Sequence, residues 1–481
     1  MQLRSDELLL SNGWINGAEV AAARTFAVTN PATLECIAEV SDLDTEHAEH
    51  AIAAAKAAFE LWKKKPLQDR VSVVQRWADL IEDNADDLAT IISSENGKPL
   101  REARGEAMQC AALMRWYAAA VPELRGETVP SSNSAQRNYT IKQPVGVVAC
   151  ITPWNFPAAA VAVKASAAIL CGCTTVVKPS DETPLIALAL ARLAHAAKLP
   201  PGVFNVIPCK IPTAIGNTLC QSPDVRMVSF TGSTKVGQHL FTSCGSTIKR
   251  LALELGGNAP FIVFDDADID NAVAAAVGAR FYNSGQICVG ANRYFIQTNI
   301  YEKFAAKFVE KVAALKPGSG FDESSDLGPM INRAAIERLN HLIDDATVLG
   351  ATVATGGQQD DATLFFEPTV LTQMTTEMAA HRTEVFGPLA CLYKFDSEDE
   401  VIGKANDTDA GLSAYVFTGN QERLLRCAEA LEAGVIGANS SNIFSNDLPF
   451  GGIKQSGLGK EHGLQSLDEF VETKSICLAL Q

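Results

Sequence analysis

The 481-residue chain has no uncharged apolar stretch approaching the roughly 20 residues a bilayer span requires; its longest candidate, between Pro157 and Cys173, is interrupted by Lys164. It has no basic leader followed by an apolar core either, since it opens MQLRSDELLL. Twelve cysteines are scattered from Cys36 to Cys477 without paired spacing, which argues against a disulfide framework and for a reducing, cytoplasmic setting. Positive charge is in deficit: 40 Lys and Arg stand against 56 Asp and Glu, a formal net charge of −16 that disfavours nucleic acid and anionic membrane surfaces as partners. The seven histidines, at 47, 50, 195, 239, 341, 381 and 462, fall away in sequence from the strand ends considered below, so neither a Cys–His dyad nor a His-based metal site is expected. His47 and His50 are assigned to a solvated helix face. Internal repeats, low-complexity tracts and long linkers are also absent.

What remains is an ordinary globular composition, 47% hydrophobic and 20% charged, at about three times the usual domain length of about 150 residues. Two or three compact units are expected. Residues 44–121 carry apolar positions at helical spacing, in Asp44–Trp62 and Leu67–Ser93 among others. From Val145 short β-branched runs alternate with helical stretches: VGVVACIT, Pro157–Leu170, CTTVVKPS, Thr183–Lys198, GVFNVIP, Thr213–Gln221, VRMVSFTG and Ser233–Cys244. That repetition predicts an α/β fold with a doubly wound parallel sheet, whose ligands bind beyond the carboxyl ends of the strands at Thr152–Asn155, Lys178–Asp181 and Thr231–Ser233. After RLALELGG the alternation restarts with strand Phe261–Phe264 and a helix from about Asp268 to Arg280, a second α/β lobe continuing to about Asn439. The separated strand-like segments Gly126–Lys142 and Leu467–Leu480 are expected to pair as an arm for oligomer contacts.

Several residues in this frame can carry chemistry. In FTGSTKVG, Gly232 follows a strand and Gly237 sits one turn into the next helix, where free N–H groups and the helix dipole suit a pyrophosphate. The run is not G-x-G-x-x-G, and a Gly pair alone is more often a tight turn. Lys178 and Asp181 close another strand with an ammonium and a carboxylate that suit a ribose diol, or else form a surface ion pair. Alternation in LALELGG puts Leu251, Leu253 and Leu255 on one face and Ala252 and Glu254 on the other, so Glu254 either closes a solvated strand end or stands over a cleft, where partial desolvation would make it a base near neutrality. Cys288 differs from its fellow cysteines in lying in a loop between Gly285 and Gly290.

Together ITPWNFP (151–157), KPS (178–180), FTGST (230–234), LELGGNAP (253–260), GQIC (285–288), EVFGP (384–388) and PFGGIKQSGLG (449–459) resemble the NAD(P)-dependent aldehyde dehydrogenase superfamily over essentially the whole chain, with Glu254 and Cys288 34 residues apart as in that family. The resemblance implies a cofactor-binding domain at 1–124 and 143–253, a catalytic domain at 254–455 and an oligomerisation arm at 125–142 and 456–481, in a homodimer or homotetramer. It implies Cys288 as nucleophile, Glu254 as general base and Asn155 as oxyanion donor, acting on a small-molecule aldehyde. It places the cofactor, NAD with NADP as the alternative, against Thr152, Pro153, Trp154, Lys178, Ser180, Asp181, Phe230, Gly232, Ser233, Leu255, Glu384 and Phe386. A substrate pocket is implied around Phe156, Val163, Tyr282, Ile287, Ser445 and Phe450. The nearest look is to succinate-semialdehyde dehydrogenases, but the arginines with which that subgroup holds the substrate carboxylate fall at Val163 and Tyr282, which make no charge-assisted bond. Arg115, Lys164, Arg293 or Ser445 would have to compensate, or the substrate is a less charged aliphatic or aromatic aldehyde. A thiol esterase using Cys288 and Glu254 is the alternative of another class. Gly290 stands where some members have a second cysteine, so no local disulfide switch is expected.

Overall fold

The computed structural model describes residues 2–359 and 362–480; residues 1 and 481, the outer ends of the anticipated first and last segments, lie outside them. The Ala-rich region forms four helices, Thr45–Trp62, Leu67–Asp83, Ala85–Asn96 and Leu100–Ala120. The first starts at Asp44, whose carboxylate accepts from the Glu46 and His47 N–H groups while the His47 ring returns a contact to the Asp44 N–H, a closed capping box.

An eight-stranded sheet runs Ala18–Val20, Gly13–Ile15, Phe204–Val206, Thr174–Lys178, Val147–Ile151, Val225–Thr231, Arg250–Glu254, Gly457–Leu458. The strands from Phe204–Val206 to Arg250–Glu254 are parallel, as the sequence predicts. VVACI and TTVVK are buried at every position because helices cover both faces. Both edges are antiparallel, which the strand–helix alternation does not foretell. At one, Asn16 and Gly17 adopt φ of 54° and 79°, the left-handed pair that folds a tight hairpin. At the other, Gly457–Leu458 pairs with Leu253 and Glu254, so part of the segment anticipated as arm (456–481) completes this sheet instead. Helix Pro157–Cys171 is apolar on nearly every side and buried at every position but Ala159, ending at Gly172 in the left-handed conformation.

A seven-stranded sheet follows: Thr352–Thr355, Thr369–Thr372, Leu389–Phe395, Ala291–Gln297, Ala259–Val263, Ser413–Phe417, Val435–Ala438. All neighbours but the first pair are parallel. Leu253, Leu255 and Leu251 pack into one cluster of the first lobe and Ala252 into another, the alternation that leaves Glu254 at the strand's free end. The anticipated arm pairing is present: Val471–Ala479 runs antiparallel to Gln136–Pro144 over nine residues, with Thr128–Val129 beyond. Among the described residues, no helix is long and apolar enough to cross a membrane.

Candidate active site

Asn155, Glu254 and Cys288 come from three different elements and line one cavity of about 810 Å³, within the usual range for small-molecule sites. One set of walls is made by the strand ends of the first sheet (Trp154, Thr231–Ser233, Leu255) with Arg338, Glu384 and Phe386; the other by helices Leu100–Ala120 and Pro157–Cys171 with Tyr282, Phe444, Phe450 and His462.

Cys288 is half-buried on the loop that enters strand Ala291–Gln297. That loop is held in an uncommon conformation: Asn283, Ser284 and Gly285 have φ of 49°, 55° and 72° in succession. Such strain persists only where the surroundings over-determine it. Here Glu102 accepts from the Asn283 N–H at 2.9 Å, Ser284 donates to the Gly328 carbonyl at 2.8 Å, and a Cβ on Gly285 would lie 2.2 Å from the Gly387 carbonyl oxygen. Burial, then the carboxylates of Glu384 and Glu254, push the Cys288 thiol up.

Glu254, 5% exposed, leaves Oε2 without any protein partner. Burial raises its carboxyl well above the usual range, Glu461 raises it further, and Lys164 opposes both. Lys164, wholly buried, is ion-paired with Glu461. Asn155, also 5% exposed, donates one amide N–H to the Gln286 carbonyl at 3.0 Å and keeps the other. Its own carbonyl accepts from Lys98 Nζ at 2.7 Å and from Asn283 Nδ2 at 3.0 Å. Lys98 in turn pairs with Glu106 at 2.6 Å with both side chains removed from solvent, and sits 4.1 Å from the centre of the Phe156 ring. The second Glu106 oxygen accepts from Ala158 and Ala159 N–H, anchoring the start of helix Pro157–Cys171. Nothing in ENGKPL or LREARGEAM marks this buried pair as a support for Asn155.

Beyond the cavity lining, at the end of strand Thr174–Lys178, Lys178 is 4% exposed and its ammonium makes no hydrogen bond or ion pair among the described residues. Asp181 does not join it, because its carboxylate pairs with Lys210 at 2.8 Å; the shared ammonium–carboxylate crevice expected from sequence is therefore not formed. Ser180 accepts from the Glu182 N–H, and the Ser233 hydroxyl caps helix Thr234–Cys244 by accepting from Val236 N–H. The Thr231 hydroxyl lines the cavity without a protein partner. Glu384 accepts from the Gly257 N–H at 3.0 Å, and burial pushes its pKa up to about 7. Trp154 meets Phe386 edge-on. Thr152, Lys178, Ser180, Asp181 and Phe230 lie outside the cavity lining itself.

Phe156, Val163, Tyr282 and Phe450 line the cavity as expected, whereas Ile287 and Ser445 do not. Ile287 is turned into the second lobe's core, and the Ser445 hydroxyl is bonded to Asp447. Phe156 and Tyr282 stack at 6.1 Å, and Phe444 and Phe450 at 5.0 Å. The candidate compensating cations are all engaged elsewhere: Arg115 with Asp79 and Glu82, Lys164 with Glu461, and Arg293 with the carbonyls of Asn258, Lys404 and Ala405. His462, by contrast, enters the cavity although it is remote in sequence from every strand end, because the antiparallel bridge between Phe450 and Glu461 carries it there. Its φ of 54°, unusual for a residue that is not glycine, has no sequence signature.

Residues 17–476 match the aldehyde dehydrogenase family. A probable succinate-semialdehyde dehydrogenase [NADP(+)] of Sinorhizobium fredii is 46% identical over 94% of this chain and 92% of its own. A 3-sulfolactaldehyde dehydrogenase of Pseudomonas putida is 44% identical over 99% of both chains. The crystal structure of an aldehyde dehydrogenase from Brucella melitensis biovar abortus 2308 superposes with a TM-score of 0.98 at 46% identity, covering 100% of each chain. With a match across nearly its whole length and the cysteine, carboxylate and amide gathered in one cavity, the chain belongs to the aldehyde dehydrogenase family.

Proposed function

We propose that the protein oxidises an aldehyde to its carboxylic acid with NAD(P)+ through a covalent intermediate on Cys288, and that its substrates are acid-bearing aldehydes of the succinate-semialdehyde type. The observation that carries the mechanism is the convergence of Cys288, Glu254 and the unused Asn155 N–H on one cavity. The Cys288 thiol, raised by burial, gives its proton to the Glu254 carboxylate, which passes it on to solvent, and the thiolate adds to the carbonyl carbon to give a thiohemiacetal. The developing alkoxide takes the free N–H of Asn155 and the Cys288 backbone N–H; one such donor is worth about 2.7–4 kcal/mol. Ser233, Glu384 and Phe386 would hold a nicotinamide nucleotide against the cavity, where it would supply the hydride acceptor for oxidation of the thiohemiacetal to a thioester. Glu254, made more basic by burial and by Glu461, removes a proton from the water that hydrolyses the thioester, releasing the acid and restoring Cys288.

The wall residues fit a dinucleotide. Lys178, at its strand end beyond the cavity lining, has an ammonium without a protein partner, Thr231 a hydroxyl without one, and helix Thr234–Cys244 begins at the cavity, where the first-turn N–H groups other than that of Val236, taken by Ser233, can face phosphate. The Glu384 carboxylate suits ribose hydroxyls. At Gly256 a Cβ would stand 2.7 Å from Glu384 Oε2, so glycine keeps that approach open. NAD is the cofactor we favour, with NADP as the alternative, since Lys210 offsets the negative charge of Asp181. Such a set of cofactor contacts has no use in an esterase. The first sheet with its helices then serves as the cofactor domain (1–124 and 143–253), the second as the catalytic domain (254–455), and the exposed, long edge strand Val471–Ala479 as the surface for a homodimer or homotetramer. The twelve cysteines are all unpaired, which supports a cytoplasmic setting.

The test is NAD(P)H production from an aldehyde panel by the wild type and by Cys288→Ala. Turnover that disappears in the variant supports the mechanism, and undiminished turnover overturns it.

A further inference from the structure

Among the described residues lining the cavity, only Arg338 and His462 can carry positive charge. Arg338 is committed to the other wall, where its guanidinium donates to the carbonyls of Val385 and Phe386. His462 is uncommitted: neither ring nitrogen makes a hydrogen bond, and Nδ1 is shut off from solvent without a partner. An unpaired buried polar atom is costly, so a native site that keeps one has a reason for it. The ring is also held in place at a cost. The backbone of His462 takes φ 54° and ψ 177°, sparsely populated for anything but glycine, and is pinned there by its N–H to the Tyr117 hydroxyl at 3.0 Å, which Ser466 also contacts. The imidazole meets the Phe450 ring edge-on at 6.1 Å, on the wall formed with Phe444.

We propose that His462 is the specificity-determining residue of this enzyme: its imidazole, taking a proton as the substrate enters, pairs with the tail carboxylate of an acid-bearing aldehyde in a cavity wall that holds no free lysine or arginine. This deepens the reading given above and rests on it for the identity of the substrate. The titratable and charged groups around His462 are Tyr117, which accepts its backbone N–H, and the cavity-lining Cys110, both from helix Leu100–Ala120, Lys164 from helix Pro157–Cys171 and Glu461 beside it, with Glu254 beyond Glu461. Burial holds the imidazole below its ordinary range, with Lys164 adding to the effect and Glu461 opposing it. The imidazole is therefore largely uncharged near neutrality before substrate arrives, and pairing with a carboxylate requires it to take up one proton from solvent. Preference for the anionic substrate must then fall as pH rises.

The experiment compares kcat/KM for succinate semialdehyde and for butanal between about pH 6 and pH 9, across which an ordinary histidine loses its charge. The ratio of the two cancels the ionisation of Cys288 and Glu254, which both substrates share. In the wild type the ratio is expected to fall with pH, approaching tenfold per unit. In His462→Leu it is expected to be lower at the acid end and flat, and His462→Gln, which keeps a donor but no titration, is flat as well. A flat ratio in the wild type, or a slope that survives in either variant, overturns the proposal. Calorimetry with succinate, in buffers of different ionisation enthalpy, reads the same group without turnover: uptake of about one proton by the wild type near neutrality and none by the variants is expected. Absence of that uptake counts against His462. Proton uptake without turnover of any aldehyde would instead remove the dehydrogenase reading and leave the carboxylate site.

Discussion

Replacing Lys98 by methionine tests how the candidate oxyanion donor is held. Lys98 and Glu106 are ion-paired at 2.6 Å with side-chain exposures of 0% and 1%, so the substitution leaves a carboxylate buried without its counter-charge. Removing one partner of a buried pair costs about 3–5 kcal/mol, against about 5–15 kcal/mol for the net stability of a typical domain. The variant should therefore fold at 25 °C but unfold at clearly lower denaturant. Glu106→Gln should cost less, because an amide oxygen still accepts from the Ala158 or Ala159 N–H. In the double variant Lys98→Met/Glu106→Gln no uncompensated charge remains, so its loss should fall short of the sum of the singles by about 2 kcal/mol, inside the usual range for directly coupled residues. Denaturant unfolding of the four proteins, monitored by tryptophan fluorescence, provides the cycle. Activity adds a second readout. The Asn155 carbonyl loses its 2.7 Å bond to Lys98 but keeps the one from Asn283, so kcat should drop by less than about tenfold, under 1.4 kcal/mol. Strict additivity of the two stability losses, or a Lys98→Met loss below about 1 kcal/mol, would refute the reasoning from burial.

Three further outcomes are expected. Asn155→Ala should lower kcat by about 10²–10³ with little change in KM, measured by steady-state NAD(P)H formation; a loss below tenfold would mean that the alkoxide is held by other groups. Burial pushes Glu384 up to about 7, so its carboxylate forms as pH rises through neutrality and KM for NAD+ should fall over that window; Glu384→Gln should flatten the profile, and a parallel profile in the variant would sink the assignment. Truncation before Val471 removes the strand paired with Gln136–Pro144, and light scattering should then report a smaller assembly than that of the full chain; an unchanged mass would exclude the arm as the contact.

The parallel sheet was legible because its signal is local. Fully buried strands such as VVACI and TTVVK are short β-branched runs, and the apolar helix between them is bounded by Pro157 at its start and Gly172 at its end. The antiparallel edges were not, since Gly457–Leu458 has no periodicity of its own and joins the sheet only through its register with Leu253 and Glu254. Glu254 could be placed from alternation within five residues, and Cys288 singled out by its glycine-flanked loop. The pairing of Asp181 with Lys210 in place of Lys178 was not legible, because Lys210 lies on a different loop and meets the carboxylate only in space.

By itself, then, the sequence determined the α/β class, the two lobes, the pairing of the arm segments, and through its motifs the family with its cysteine, carboxylate and amide. The tertiary structure decided which charges are free. Arg115, Lys164 and Arg293 read alike along the chain as available cations, yet each is already neutralised or capping carbonyls, while His462, whose position in sequence suggested nothing, faces the cavity unpaired. The physical reason is that alternation and periodicity depend on neighbours in the chain, whereas a charge is satisfied by whatever group the fold brings within about 4 Å of it.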